Sequence, residues 1–552
     1  MTQTVRAKRR VFLTQQSLNG AIKGVCDVLR RSNCAGAMQY IPELTWILFL
    51  RILDDQEGGE GEHLTKPRDG FAPSIRPPYR WRDWGAPYEP LLAFAQKGEK
   101  PHGWKRRELE NAGSGSFLAF VNGELFPYLK SLGKSPDATA RQRIIAEIAS
   151  NIERTRIDAE YNLREVLDKV HGITVARIDP KHIFPLSQIY EGLLLRMGQK
   201  SNDGGQFFTP REVVRAMVRV VAPQIGETIY DPCCGTGGFL AQAYEHIRQG
   251  AHEVRGASEA GDKETNYAFY GREKENLVYP LALANLVLHG VDEPHIWHGN
   301  TLTGREVYGG LFKDAPSHFD VILTNPPFGG KESKEAQAQF SYKSSSTQLL
   351  FLQHVIDSLT LGGRCGIVVD EGTLFRTTDT AFVQTKRRLL DTCDLWCIVS
   401  LPIGAFVNAG ASVKTDILFF TRGRPTDKIW YYDLSDVKTT KAAPLTGEHF
   451  ERLFALLPTF APSDRSWSVT RRQIEENGYD LKAVNPNFRV HQEARSLDDL
   501  LGLMQKVHQE IRSNFQALSE FQRLRDSSAN AARACAKEVS VKKRLHPRMS
   551  PR

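Results

Sequence analysis

Asp320-Val321-Ile322-Leu323-Thr324-Asn325-Pro326-Pro327-Phe328 runs a short apolar, β-prone segment straight into a polar residue, two prolines and an aromatic ring. A buried strand that ends in a stiff loop reads this way. Proline has no N–H to give a ladder, so the chain must leave the sheet at Pro326. The Asn325 carboxamide and the Phe328 ring then sit at the carboxyl edge of a strand. That is the edge at which open α/β sheets bind ligands.

Other strands must complete such a sheet. Glu227-Thr228-Ile229-Tyr230-Asp231-Pro232-Cys233-Cys234-Gly235-Thr236-Gly237-Gly238-Phe239 reads as strand, glycine-rich turn and helix start. The glycines let backbone approach a ligand and tolerate positive φ. Neither a GxGxxG fingerprint nor a GxxxxGK[ST] phosphate loop is present. An acid at the strand end repels phosphate and suits a cationic, amine-bearing ligand. S-adenosyl-L-methionine, with its ammonium and sulfonium charges, fits that description. A generic glycine-rich turn is the alternative.

Ala268–Glu273 is a β-like run ending in an acid, placed where dinucleotide-type sheets hydrogen-bond ribose hydroxyls. The gap from Gly238 requires an insertion, and the alternative is a surface glutamate. Ile296–Leu302 is a third strand whose Asn300 can offer its amide to an adenine edge. Residues 351–361 read as helix, and 366–369, 395–401, 414–420 and 429–432 as strands. The alternation predicts an α/β fold with a mostly parallel, Rossmann-like sheet over residues 176–435. Gln206-Phe207-Phe208-Thr209-Pro210-Arg211 precedes it, with Thr209 as N-cap, Pro210 at the first helical position and Glu212 closing a capping box.

Outside the sheet, apolar residues at 3–4 spacing predict helices over about 14–56, 117–132 and 138–170. Residues 1–175 are therefore expected to form a helical N-terminal domain. The Gly-, Pro- and Trp-rich stretch 58–103 is expected as an irregular loop or a partner-facing surface. Residues 436–495 extend the catalytic domain. Over 496–526, Leu497, Leu500, Met504, Val507, Ile511, Leu518 and Phe521 fall on heptad positions, with Asn514 the polar member. That C-terminal helix is a seam for a partner, in cis or in trans. The net charge of +8 invites a nucleic-acid reading. Residues 537–552 alone carry +5 of it, in a basic tail (527–552) expected to be disordered. No signal peptide or membrane span is expected, the cysteines lack metal-like spacing, no metal site is expected, and a cytoplasmic location follows.

Taken together and in this order, QFFTP, DPCCGTGGF, the Glu273 strand end and NPPF resemble the amino-methylating DNA methyltransferases. More narrowly, the chain resembles the modification subunit of type I restriction-modification systems. Leu401–Phe406, Val413–Thr415 and Asn477–Leu481 fit that pattern as well. The resemblance implies N6-adenine methylation of double-stranded DNA with S-adenosyl-L-methionine. It also implies a specificity subunit that chooses the site, a second copy of the modification subunit and, in some assemblies, a restriction subunit. Gln206, Phe207, Phe208, Thr209, Pro210, Arg211, Asp231, Gly235, Thr236 and Gly237 would surround the methionine part of the cofactor. Glu273 would hold its ribose. Asn300 departs from the acid often found at its position. Asn325, Pro326, Pro327 and Phe328 would form the catalytic loop. The Asn325 side-chain oxygen and the Pro326 carbonyl would accept the two amine hydrogens, and Phe328 would stack on a flipped base. Flipping costs a few kcal/mol, of which stacking offsets about 1–3.

Three other readings compete. Cytosine carbon methylation needs a Cys nucleophile after Pro; Pro232-Cys233 is such a pair, but it lies inside the cofactor turn. NPPF-type loops also methylate protein glutamine or RNA, or adenine in a stand-alone adenine methyltransferase. An inactive assembly subunit is disfavoured by the intact NPPF and GTGG.

Overall fold

Runs such as Val321–Leu323 and Ile417–Phe420 are buried at every position, so they can lie only in a sheet covered on both faces. The computed structural model describes residues 15–58 except 33, 35 and 36, then 73–90, 100–172, 209–255, 268–306 except 292, 315–407, 413–482 except 441 and 442, 484–487, and scattered positions between 501 and 516. Among these, ten strands form one sheet. They are β1 Thr228–Asp231, β2 Ala268–Glu273, β3 His295–Asn300, β4 Arg305–Glu306, β5 Phe319–Thr324, β6 Leu359–Asp370, β7 Cys393–Ser400, β8 Thr415–Arg422, β9 Lys428–Asp433 and β10 Ser466–Thr470. Their order is β10-β9-β7-β8-β6-β5-β1-β2-β3-β4.

The chain lays down β1, β2 and β3 in one direction, then returns to place β5 and β6 on the other side of β1, all parallel. The reversal between β1 and β5 opens a crevice at their carboxyl ends. Asp231, Glu273, Asn300 and Asn325 end or follow the four strands around it.

The rest of the sheet is mixed, not mostly parallel. β8 runs antiparallel to both β6 and β7, and β10 antiparallel to β9. A parallel neighbour requires a crossover, usually helical. β8 follows β7 in sequence and pairs antiparallel with it, Ser400 opposite Asp416, an arrangement that needs no crossover. The helix expected over 351–361 is Thr347–Ser358, and Leu359 already begins β6.

Helices Gln15–Arg31, Ala37–Gly58, Ala140–Ser150 and Glu160–His171 frame the N-terminal part. The tryptophans expected in an irregular surface stretch are instead in its core. Trp81 and Trp84 are fully buried, and Trp84 packs against Trp46, Phe117 and Phe120. The large apolar payload of these rings overrides the turn-forming residues around them. Helix Tyr279–His289 is apolar on nearly all sides because it is covered on both. It follows β2 and packs against helices Ala37–Gly58 and Ala140–Ser150. Gln56 donates to the Leu288 carbonyl (2.8 Å) across that contact. Residues 1–486 form one compact unit and 487–552 a second. In the second, Met504 and Ile511 of the expected seam are helical and exposed; the other seam members lie outside the described residues, as does the tail.

Arg364 on β6 ties the helix that precedes β1 to the sheet. Its guanidinium makes paired 2.8 Å bonds to both Glu227 oxygens and donates to the carbonyls of Val221 and Ala222, which end helix Arg211–Val221. Those carbonyls have no intrahelical partner. Arg364→Ala is expected to lower unfolding stability by about 2 kcal/mol in urea titration, with Arg364→Lys recovering less than half because it cannot bond as a fork. A midpoint unchanged in Arg364→Ala would contradict this.

Candidate active site

The cofactor-side turn is shaped by backbone that only glycine adopts easily. Gly235 and Gly237 have φ of 54° and 77°, which carry the chain from β1 into helix Gly238–Arg255. The turn lies against β2 so closely that a Cβ on Gly271 would stand 2.6 Å from Ile296 Cδ1 and 3.1 Å from Cys234 Sγ. Cys234 N–H donates to the Arg272 carbonyl (2.9 Å), and Asn285 Nδ2 to that of Thr236 (2.9 Å).

Glu273, at the end of β2, accepts from Gly235 N–H (2.9 Å) through one oxygen and from Glu275 N–H (2.7 Å) through the other. Asp231, at the end of β1, accepts from the Thr324 hydroxyl (2.7 Å) and from Cys233 N–H (3.1 Å). Burial pushes both carboxyls up to about 7. The Thr324 bond joins the cofactor turn to the strand end that immediately precedes Asn325.

Thr209 is not the helix cap. Helix Arg211–Val221 has Pro210 at its N-cap position and no capping side chain, while Glu212 pairs with Arg215. The Thr209 hydroxyl instead accepts from Asn325 Nδ2 (2.9 Å). A tertiary partner has taken the hydroxyl from the local one. With Nδ2 engaged, Asn325 Oδ1 is buried and has no partner. A buried amide oxygen without a donor is rare, because it loses hydration for nothing in return. The Pro326 carbonyl accepts from Gln348 Nε2 (3.1 Å), which leaves one of its two lone pairs available. Phe328 is half-buried, with its ring edge-on to Phe406 (5.3 Å, 86°).

One cleft of about 270 Å³ runs from the glycine turn to the Asn325 loop, and Thr209, Pro326 and Phe328 lie outside its lining. Gly235, Glu273, Asn300, Asn325 and Pro327 line it, together with Thr301, Lys331 and Phe351, none of which sequence reasoning singled out. Asp231 lies beneath the lining, fully buried. Asn300 Oδ1 accepts from Leu302 N–H (3.0 Å), so its Nδ2 is the end left for a ligand. Gln206, Phe207 and Phe208 lie outside the described residues. Cys233 also lines the cleft, but burial pushes its thiol well above its usual range and Sγ bonds the Thr324 hydroxyl (3.0 Å). A nucleophile needs the thiolate, so the cytosine-carbon reading has no support here. Among the described residues no cluster could hold a metal ion, and no helix is long and apolar enough to cross a membrane.

Sequence reasoning passed over Thr324 and Gln348. Thr324 read as an ordinary strand residue. Gln348 opens the apolar run Gln348-Leu349-Leu350-Phe351-Leu352, and a lone carboxamide bound for burial there must find polar partners.

The family model described as N-6 DNA methylase matches residues 181–495, and that of the HsdM N-terminal domain matches residues 18–170. The methylase subunit of the type I restriction enzyme EcoEI from Escherichia coli is 32% identical over 510 residues, covering 90% of this chain and 95% of that protein. The EcoKI methylase subunit from Escherichia coli (strain K12) is 28% identical over 470 residues, covering 82% and 79%. A crystal structure described as a modification subunit of a type I restriction enzyme, from Vibrio vulnificus YJ016, superposes with a TM-score of 0.70 at 32% identity, over 87% of this chain and 99% of that one. A chain solved for complex assembly and conformational transition of the type I R-M system gives 0.63 at 37% identity, over 92% and 99%. The sheet with its helical N-terminal part has the α/β S-adenosylmethionine-dependent methyltransferase fold on which these structures superpose. The chain therefore belongs to the N-6 DNA methylase family, among the methylase subunits of type I restriction enzymes, and is an adenine-specific DNA methyltransferase.

Proposed function

We propose that Asn325 Oδ1 and the Pro326 carbonyl are the two acceptors that hold the exocyclic amine of a flipped adenine. The observation that carries this reading is the buried, unpartnered Asn325 Oδ1, whose orientation Thr209 sets through the amide nitrogen. The adenine amine is a poor nucleophile because its lone pair is delocalised into the ring. Two acceptors that grip both hydrogens favour a pyramidal nitrogen with its lone pair turned out of the ring plane. Rate then comes from positioning, with no strong base required. Phe328, backed edge-on by Phe406, supplies a ring face to the base.

The cleft fits S-adenosyl-L-methionine. Glu273 faces it with both oxygens fixed by backbone donors, which holds the carboxylate in place to accept ribose hydroxyls. Asn300, whose Nδ2 is left for a ligand, would donate to the adenine edge. Asp231, Gly235, Thr236 and Gly237 would hold the methionine part, together with Gln206, Phe207, Phe208, Thr209, Pro210 and Arg211. When bound, this cofactor supplies an electrophilic methyl group on a sulfonium.

The chain acts on double-stranded DNA at sites chosen by a separate specificity subunit, in an assembly with a second modification subunit and, where present, a restriction subunit. The chain works in the cytoplasm. The N-terminal helices (1–175) dock or clamp, residues 176–435 with their extension to 495 carry the chemistry, and the 496–526 helix pairs with a partner ahead of the basic tail. The exposure of Met504 and Ile511 agrees with that pairing. Methylation-sensitive long-read sequencing of host DNA with and without this chain is expected to show N6-methyladenine lost at one recurring sequence. Loss of a cytosine mark, or of none, would overturn the reading.

A further inference from the structure

Gln348 belongs to none of the motifs that carry the family resemblance, yet its side chain grips the catalytic loop from beneath. It is the second residue of helix Thr347–Ser358, whose N-cap is Ser346, and is 2% exposed. Nε2 donates to the Pro326 carbonyl (3.1 Å), and Oε1 accepts from Asp370 N–H (3.0 Å) at the end of β6. Both partners are backbone groups of fixed polarity. An N–H cannot accept and a carbonyl cannot donate, so only one orientation of the amide satisfies both.

The same helix holds the chain that follows the loop. Thr347 donates to Glu332 (2.9 Å), and Gln353 bonds both the N–H (3.0 Å) and the carbonyl (2.9 Å) of Tyr342. Gln348 is the member of this row that reaches the reacting end. Pro326 has its φ set by its own ring, and Pro327 confines the Pro326 ψ to a window about 40° wide. Within that window the direction of the carbonyl is open, and one hydrogen bond from a buried donor decides it.

We infer that Gln348 is a positioning residue for methyl transfer: it aims the Pro326 carbonyl, occupies one of its lone pairs and leaves the other directed at the adenine amine. This rests on the proposed role of Asn325 and Pro326 as the amine's two acceptors. A buried glutamine that only joined β6 to the loop would leave the same contacts, so the test must separate aiming from support.

Gln348→Glu does so. It keeps the volume and the acceptor for Asp370 N–H. When ionised it cannot donate to the Pro326 carbonyl; when protonated it can. Burial raises a carboxyl's pKa, so the switch falls in an accessible range. The chain is assembled with its specificity subunit and assayed on duplex DNA carrying the sequence found by sequencing. At pH 8 kcat is expected to fall by about 30-fold or more, with the KM for DNA and the Kd for S-adenosyl-L-methionine within about threefold of wild type. Relative to wild type, kcat is expected to recover at least fivefold by pH 6. A Gln348→Glu profile parallel to wild type from pH 6 to 8, or a kcat equal to it, overturns the inference. If the variant does not fold at pH 8, Gln348→Met replaces it. Its kcat is expected to fall about tenfold with cofactor binding unchanged, and a wild-type kcat overturns the inference. Asn325→Ala is run alongside. If it keeps activity, the acceptor assignment is at fault; if it is inactive while Gln348→Glu behaves as wild type, only the Gln348 inference falls.

Discussion

Asn325→Ala is expected to lower methyl transfer by about 10³-fold or more while leaving S-adenosyl-L-methionine binding within about twofold. Losing one preorganised group aimed at the reacting centre of an enzyme typically costs 10²–10³-fold. Here the alanine also removes the Thr209 contact, so the loop loses its anchor as well as its acceptor. The cofactor-side bonds of Glu273 and Asp231 do not involve the Asn325 side chain, which is why binding persists. Asn325→Asp sharpens the test. A carboxylate keeps an oxygen for the amine but turns its second oxygen toward a Thr209 hydroxyl, which can rotate to donate. Partial activity, about tenfold to 100-fold below wild type, is expected. Single-turnover methylation together with calorimetric titration of the cofactor reads both outcomes. An Asn325→Ala chain with undiminished single-turnover rate would falsify the assigned role.

Glu273→Gln is expected to weaken S-adenosyl-L-methionine binding by about 100-fold. The change is isosteric, but each Glu273 oxygen already accepts a backbone N–H. A carboxamide must point its NH₂ at one of those donors, so the side chain turns off its two anchors and its acceptor for the ribose hydroxyls is lost with them, which costs roughly 2–3 kcal/mol of binding. The pH dependence follows from the same burial. Asp231 and Glu273 keep their protons up to about 7 in the fold, whereas free carboxyls ionise near 4. A ligand that brings positive charge and hydroxyl donors favours the ionised forms. Affinity is therefore expected to rise as pH goes up through about 7, and to fall below it by up to about tenfold per pH unit for each carboxyl that must ionise. Asp231→Asn is expected to flatten that slope. Calorimetry at pH 6, 7 and 8 decides it, and an affinity independent of pH across that range would count against both carboxyls as cofactor ligands.

Strands were legible where the chain is apolar at successive positions and ends in residues that cannot continue a ladder. β1, β2, β3 and β5 were read close to their observed limits for that reason, and so were their terminal residues Asp231, Glu273 and Asn300. The antiparallel entry of β8 was not legible, because direction depends on whether a crossover lies in the connection and not on the strand's own residues. Trp81 and Trp84 misled in the opposite way. Their neighbours are turn formers, and only the aromatic cluster around Trp46 shows that the stretch is core.

The same division runs through the site. The sequence alone determined that an acid, a glycine turn, a second acid and an Asn-Pro-Pro-Phe loop would meet at one sheet edge, since each follows a short β-prone run and the strands of a parallel sheet share one carboxyl edge. Only the tertiary structure decided which way the Asn325 amide faces and where the Pro326 carbonyl points. Thr209 lies 116 residues from Asn325, and Gln348 lies 22 from Pro326. The orientation of an amide is set by whichever donor or acceptor packing brings beside it, and no local pattern in the chain encodes that neighbour.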